Sequence, residues 1–211
     1  MTEVTQTQPP MNLIEPLNRN LAKLVLAAAD AYAATGDDGA VGFADPLRAA
    51  RGPFLLPADE TPPAPAWLAP ALDALPPGAL AAPLRASAPG IPWIIGVAKM
   101  PASFAGRSAY NEIVGPGGFA ASESLRFGLY VQAPESFYPP HSHAAEEFYY
   151  VLSGTARWQK GEEAFSLKLP GSCIRHAPWQ RHAMETAAEP LLALWVWTGD
   201  LDMASYEMEG Y

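Results

Sequence analysis

Apolar residues recur every three or four positions between Asn12 and Thr35: Leu13, Leu17, Leu21, Leu24, Ala28 and Tyr32. That spacing puts them on one face of an amphipathic helix, which Gly36 is placed to end. Residues 1–11 show no such period and read as a disordered tail. Asp45-Pro46 has the chemistry of an N-cap followed by a first helical residue, predicting a short second helix there. Residues 46–101 hold 13 of the 23 prolines. Proline deletes a backbone donor and restricts its neighbour, so long helices and central strands are excluded from this stretch. Trp67, Leu68, Leu72 and Leu75 are too apolar for a free linker, which predicts short helices and irregular chain packed on whatever follows.

The texture changes near residue 105. β-Branched and aromatic runs now alternate with turn residues: Leu125–Ala133, Glu147–Leu152, Thr155–Gln159, Ala164–Leu169, Cys173–His176 and Leu191–Thr198. Ser153-Gly154, Lys160-Gly161 and Pro170-Gly171 punctuate them. Short strands at this spacing predict a β-sandwich or barrel. The layout is a mainly β protein, with a helical, Pro/Ala-rich extension over 1–104 packed on a barrel over 105–211.

With 211 residues the chain can build a full core, and 49% hydrophobic against 17% charged residues excludes a disordered or fibrous chain. A net charge of −9, with 22 acidic and 13 basic residues, argues against nucleic-acid and anionic-membrane partners. The single cysteine, Cys173, excludes an intramolecular disulfide and reads as a small buried hydrophobe. The N-terminus has no basic region followed by an apolar one. The apolar stretch Leu24–Ala34 contains Asp30 and falls short of the ~20 residues that span a bilayer. These features predict a soluble, cytoplasmic protein.

All four histidines lie between 141 and 182. On a strand, His141 and His143 would share a face. Glu147 would stand ~13 Å beyond His143 in a straight strand at ~3.3 Å per residue, too far to share an ion with bonds of about 2.1 Å. A turn at Ala144-Ala145-Glu146 is therefore required to bring Glu147 back beside the histidines. On the strand that follows, Glu147, Tyr149 and Val151 face one way and Phe148, Tyr150 and Leu152 the other, and Glu146 is discounted as a ligand. Phe148 and Tyr150 then pack on the N-terminal helices or on a second subunit, which leaves a homodimer open. A fourth ligand comes from His182 or His176, with His182 favoured because Pro178-Trp179-Gln180 sets it at the start of a new strand. Imidazole nitrogens with one carboxylate suit Fe, Mn, Ni, Co or Zn as divalent ions.

His141-Ser-His143-Ala-Ala-Glu-Glu147, followed by six residues and Gly154, resembles the first cupin motif in every fixed position. Pro178-Trp-Gln-Arg-His182 resembles a second motif that lacks its usual glycine and is one residue short. The resemblance implies a single double-stranded β-helix (jelly-roll) barrel. A narrower likeness lies in Tyr138-Pro-Pro-His141 through Tyr149, in Arg181-His182-Ala-Met, and in Pro190-Leu-Leu-Ala-Leu-Trp-Val-Trp197. These segments resemble the cupin-type dimethylsulfoniopropionate lyases, which also carry a helical extension before one barrel. That resemblance implies a divalent metal held by His141, His143, Glu147 and His182, with Tyr149 as the base. It further implies Tyr138 and Trp197 as substrate-binding aromatics and a small zwitterionic substrate. The expected reaction is β-elimination of dimethyl sulfide to leave acrylate. A cupin dioxygenase using the same ligands on a small thiol or carboxylic acid, and a non-catalytic ligand-binding cupin, are the alternatives.

Overall fold

A computed structural model describes residues 11–57, 63–97 and 100–208. The predicted amphipathic stripe forms helix α1 (Met11–Ala33). Leu21, Leu24, Val25, Ala28, Ala29 and Tyr32 are buried along its length. Of the tail read over residues 1–11, only Met11 lies within the described residues, and it begins α1.

The second helix begins earlier than Asp45-Pro46 predicts. Helix α2 spans Asp38–Ala49, and its N-cap is Asp37, whose carboxylate accepts from the N–H groups of Gly39 at 2.9 Å and Ala40 at 3.1 Å. Asp45 and Pro46 thus lie inside the helix. Asp37 satisfies two otherwise orphaned donors directly after the Gly36 turn, and buried Phe43, Ala44 and Leu47 hold the turns around the proline. Short helices α3 (Leu68–Asp73) and α4 (Ala81–Ser87) occupy the Pro-rich stretch. No helix among the described residues is long and apolar enough to cross a membrane.

The strands form two antiparallel sheets. The first contains β1 (Ile94–Ile95), β2 (Ser108–Tyr110), β3 (Leu125–Gln132), β5 (Glu146–Ser153), β8 (Cys173–His176) and β10 (Leu191–Thr198), in the order β1-β2-β3-β10-β5-β8. The second contains β4 (Phe137–Ser142), β6 (Ala156–Lys160), β7 (Ser166–Lys168), β9 (His182–Thr186) and β11 (Glu207–Met208), in the order β11-β4-β9-β6-β7. Strand β4 forms despite Pro139-Pro140 because the prolines fall where the β4–β9 register shifts, between Tyr138 and His141. At such an irregularity a missing donor breaks no ladder bond. Gly154 turns the chain from β5 to β6 at φ +72°, and a Cβ there would lie 2.0 Å from the carbonyl oxygen of Pro190.

The helices cover one face of the first sheet, where Phe148, Leu152, Leu192, Leu194 and Val196 share an apolar cluster with α1, α2, α3 and α4. Phe148 meets Phe43 edge to face at 5.0 Å, and Tyr32 stands 5.8 Å from Tyr150. The open choice for Phe148 and Tyr150 is thereby decided for the helices. α2 comes this close because Gly39 faces Phe148: a Cβ there would lie 2.6 Å from the ring tip.

Candidate metal centre

Strand register assembles the site. On β5, Glu147 stands opposite Trp197 of β10 on one side and His176 of β8 on the other. On the facing sheet, His141 of β4 is paired with His182 of β9. His143 lies just past the end of β4 rather than within the strand, in the turn that returns the chain to Glu147. The required turn thus exists, although the two histidines do not share one strand. Glu146 points out of the site and accepts from Arg175 Nε at 2.7 Å.

Each of these three histidines anchors its Nδ1 on a main-chain carbonyl: His141 on Pro139 at 2.8 Å, His143 on Ala145 at 3.0 Å and His182 on Gln180 at 2.8 Å. A carbonyl only accepts, so Nδ1 is the donor and the neutral ring keeps its lone pair on Nε2. His143 Nε2 and His182 Nε2 lie 3.2 and 3.1 Å from the same oxygen, Glu147 Oε2. His182 Nε2 is buried and makes no hydrogen bond. Trp197 Nε1 donates to the other carboxylate oxygen, Oε1, at 2.8 Å. Ligand atoms of His143, Glu147 and His182 all fall within 4.8 Å of one another. Inward lone pairs, an outer donor fixed on a carbonyl and one buried carboxylate are the requirements of a divalent transition ion, so the residues fit the metal.

His141 stands outside that three-residue group. Its ring stacks on Tyr138 at 4.0 Å and 12° and lies 4.1 Å from His182. His176, the alternative to His182, stays outside the group as well: it stacks flat on the His182 ring at 3.9 Å and 11°. Burial, and then the neighbouring His182, hold both His141 and His176 well below the ordinary imidazole value. Burial opposes charge on His143, but the Glu147 carboxylate outweighs it and raises that histidine. Burial likewise opposes the charged Glu147, yet His143 and His182 together keep its carboxyl well below the usual range.

A cavity of about 460 Å³ opens in front of Glu147. Tyr138, Tyr149 and Trp197 line it, as do Tyr110, Tyr130 and Trp195. Tyr206 joins them through a hydroxyl–hydroxyl hydrogen bond of 2.9 Å to Tyr138. Sequence reasoning missed Tyr206 because it follows the last long strand. It is delivered by a strap in which Leu201 O accepts from Arg126 Nε at 2.8 Å and β11 pairs with His141 and Ser142. Tyr130 had a signal: it faces the same side of the sheet as Tyr149 and Trp195.

The comparison with known families decides which lineage carries this site. A family model described as dimethylsulfoniopropionate lyase matches residues 49–193. The chain belongs to the dimethylsulfoniopropionate lyase family. It is 36% identical to the dimethylsulfoniopropionate lyase DddQ of Ruegeria pomeroyi over 107 residues, covering 50% of this chain and 53% of that protein. It is 37% identical to DddL of Cereibacter sphaeroides over 109 residues, covering 51% of this chain and 45% of that protein. The chain thus spans about half the length of the curated relatives it matches. The crystal structure of the Ruegeria pomeroyi DddQ superposes with a TM-score of 0.67 at 25% identity, over 92% of this chain and 97% of that one. A chain from the crystal structures of the lyases RdDddP and RnDddQII gives 0.67 at 27% identity, over 92% and 99%. Covering 92% of the chain, both superpositions take in the barrel and the helical layer together.

Proposed function

We propose that this chain is a metal-dependent carbon–sulfur lyase that cleaves dimethylsulfoniopropionate to acrylate and dimethyl sulfide. The observation that carries the reading is the Tyr149 ring, buried on the inner face of β5 two residues from Glu147, in a cavity walled by aromatic rings. His143, Glu147 and His182 would hold the metal, with His141 completing the set as fourth ligand; the ion would be Fe, Zn, Mn, Ni or Co. Bound there, a divalent ion supplies positive charge that polarises the substrate carboxylate and stabilises a phenolate.

The protein's own groups do the rest. Burial, and after it the Glu147 carboxylate, push the Tyr149 phenol well above its ordinary value. Glu147 engaged as a ligand would weaken that second influence, and a cation beside Tyr149 would favour its phenolate, the form that accepts a proton. Tyr149 takes the α-proton, the Cα–H electrons form the double bond, and the C–S pair leaves on sulfur. Neutral dimethyl sulfide departs, acrylate remains, and the proton stays on the phenol. Tyr138 is held by Tyr206 and by stacking on Phe104 at 4.6 Å, a rigid surface that orients the substrate. Trp197 and its neighbours offer π faces to the sulfonium, whose charge is diffuse.

The test is a headspace assay for dimethyl sulfide with the purified protein, before and after chelation. Dimethyl sulfide and acrylate should appear in equal amounts, cease on chelation and return with a divalent ion. Alanine at His141, His143, Glu147 or His182 should lower bound metal and turnover together. Absence of dimethyl sulfide from fully loaded protein overturns the reading.

A further inference from the structure

The cavity exceeds what dimethylsulfoniopropionate fills. That molecule has eight non-hydrogen atoms; even at the roughly 30 Å³ per such atom of liquid water, it occupies about half of the 460 Å³. The surplus has a direction. Glu147 lies on β5, Trp195 and Trp197 on β10, Tyr130 on β3, Tyr110 on β2, and Ile94 and Ile95 on β1, and all of them line this one cavity. In sheet order these strands run β1-β2-β3-β10-β5. The cavity is therefore walled by five neighbouring strands of the first sheet and runs from Glu147 toward the β1 edge. Dimethylsulfoniopropionate reaches about 7 Å along its five-bond backbone.

The far end has a consistent chemistry. Trp197, Trp195 and Tyr110 meet edge to face at 6.1 and 6.2 Å, making a continuous aromatic track away from the carboxylate end. The track leads to aliphatic side chains that remain open to water: Ile94 is 52%, Ile95 39% and Val97 60% exposed. Among the described lining residues there is no lysine or arginine, and Glu147 is the one carboxylate. The described lining of the outer half is thus mainly aromatic and aliphatic, with Ser108 and the Tyr110 hydroxyl as its polar groups. A pocket that rejects an added methylene does so with a wall, and the described residues at the end of this track, Ile94, Ile95 and Val97, stand open to water.

Resting on the lyase reading, we propose that the site takes sulfoniopropionates bearing a long S-alkyl chain. Its carboxylate would lie at the metal end, its sulfonium on the Trp197–Trp195 faces, and an alkyl tail of about four or more carbons along Tyr110 and the β1 lip. The reaction keeps its balance: Tyr149 takes the α-proton, the C–S bond breaks with its pair on sulfur, and an alkyl methyl sulfide leaves with acrylate remaining.

The experiment compares kcat/KM for butylmethyl- and dimethylsulfoniopropionate on protein loaded with a divalent ion. The butyl-to-dimethyl ratio should be one or more, since each methylene moved out of water onto an apolar wall favours binding about two- to fourfold. In an Ile95→Ser/Val97→Ser double variant that ratio should fall about fivefold. A ratio below one, or a ratio the double variant leaves unmoved, overturns the inference while leaving the lyase reading intact. If neither compound is cleaved, the lyase reading fails. The pocket is then judged by calorimetry with unreactive dimethylalkylammonio-propionates: affinity rising with alkyl length upholds the inference, and flat or falling affinity overturns it.

Discussion

Along β5 and β10, Phe148, Leu152, Leu194 and Val196 pack into an apolar cluster with the helices, while Glu147, Tyr149, Trp195 and Trp197 look into the cavity from the other face. The same strands supply both sets, residue by alternating residue. On the helical side, packing dominates: rings meet edge to face, and Tyr32 Oη donates to Phe148 O at 3.2 Å and Ser153 Oγ to Ala71 O at 2.6 Å. On the cavity side, polar atoms are individually tethered, as Trp195 Nε1 is to Asn111 O at 3.1 Å and Trp197 Nε1 to Glu147. Stability and chemistry are thus divided across one sheet. Adjacent substitutions on β5 should therefore fail in different ways.

The largest effect is expected at Tyr149. Tyr149→Phe removes the proposed base with little change in volume, so turnover should fall about 100-fold or more. Bound metal and unfolding midpoint should stay near wild type. Near-normal turnover in this variant, measured by acrylate release, would give the proton to another group. The neighbouring Phe148→Ala should show the opposite pattern. Fully buried and in contact with Phe43, Phe148 should cost about 3–5 kcal/mol in urea unfolding when truncated, while turnover per folded molecule persists below the transition.

A middle effect is expected where the two uses meet. Trp197→Phe keeps an aromatic wall but deletes the donor to Glu147 Oε1. A carboxylate freed to rotate should weaken metal binding on the order of tenfold, with kcat at saturating metal affected less than metal affinity. Equal loss in both would mean that Trp197 acts on substrate directly. The smallest effect is a reporter of the helical layer. Cys173 packs against that layer, and burial, then Asp37, raise its thiol to about 11. At pH 8 it should alkylate at least tenfold more slowly than a free cysteine with its ordinary value of about 8.5. Phe148→Ala should accelerate it, whereas Tyr149→Phe should not. Deleting the helical layer up to about residue 90 should expose the outer sheet face and yield aggregated protein.

Much of this arrangement follows from the chain's local pattern. The i, i+3, i+4 stripe of α1 and the parity of β5 are set by side-chain geometry alone, which fixes one apolar face per helix and alternate faces per strand. The demand for a turn between His143 and Glu147 came from bond lengths and strand rise. Local chemistry misled at Asp45-Pro46, because Asp37 caps the helix first, accepting from Gly39 and Ala40, and the buried Phe43 and Leu47 carry the helix on through the proline.

The rest is decided by pairing between segments far apart in the chain. Sequence favoured His182 over His176 from the turn before it, but it is the β4–β9 register, with His141 opposite His182, that brings one to the carboxylate and leaves the other stacked behind it. Tyr110 and Tyr206 enter the cavity by way of β2 and a C-terminal strap, whose positions depend on hydrogen bonds to β3 and β4. The residues near 94–97 become a cavity lip because β1 pairs with β2 at the edge of the sheet. Sequence by itself determined which residue types could do chemistry and which way neighbouring side chains point, since both depend on covalent structure and local geometry. Tertiary structure alone decided which distant groups share the cavity and how far it extends, since long-range register is the sum of many weak pairings that no single segment encodes.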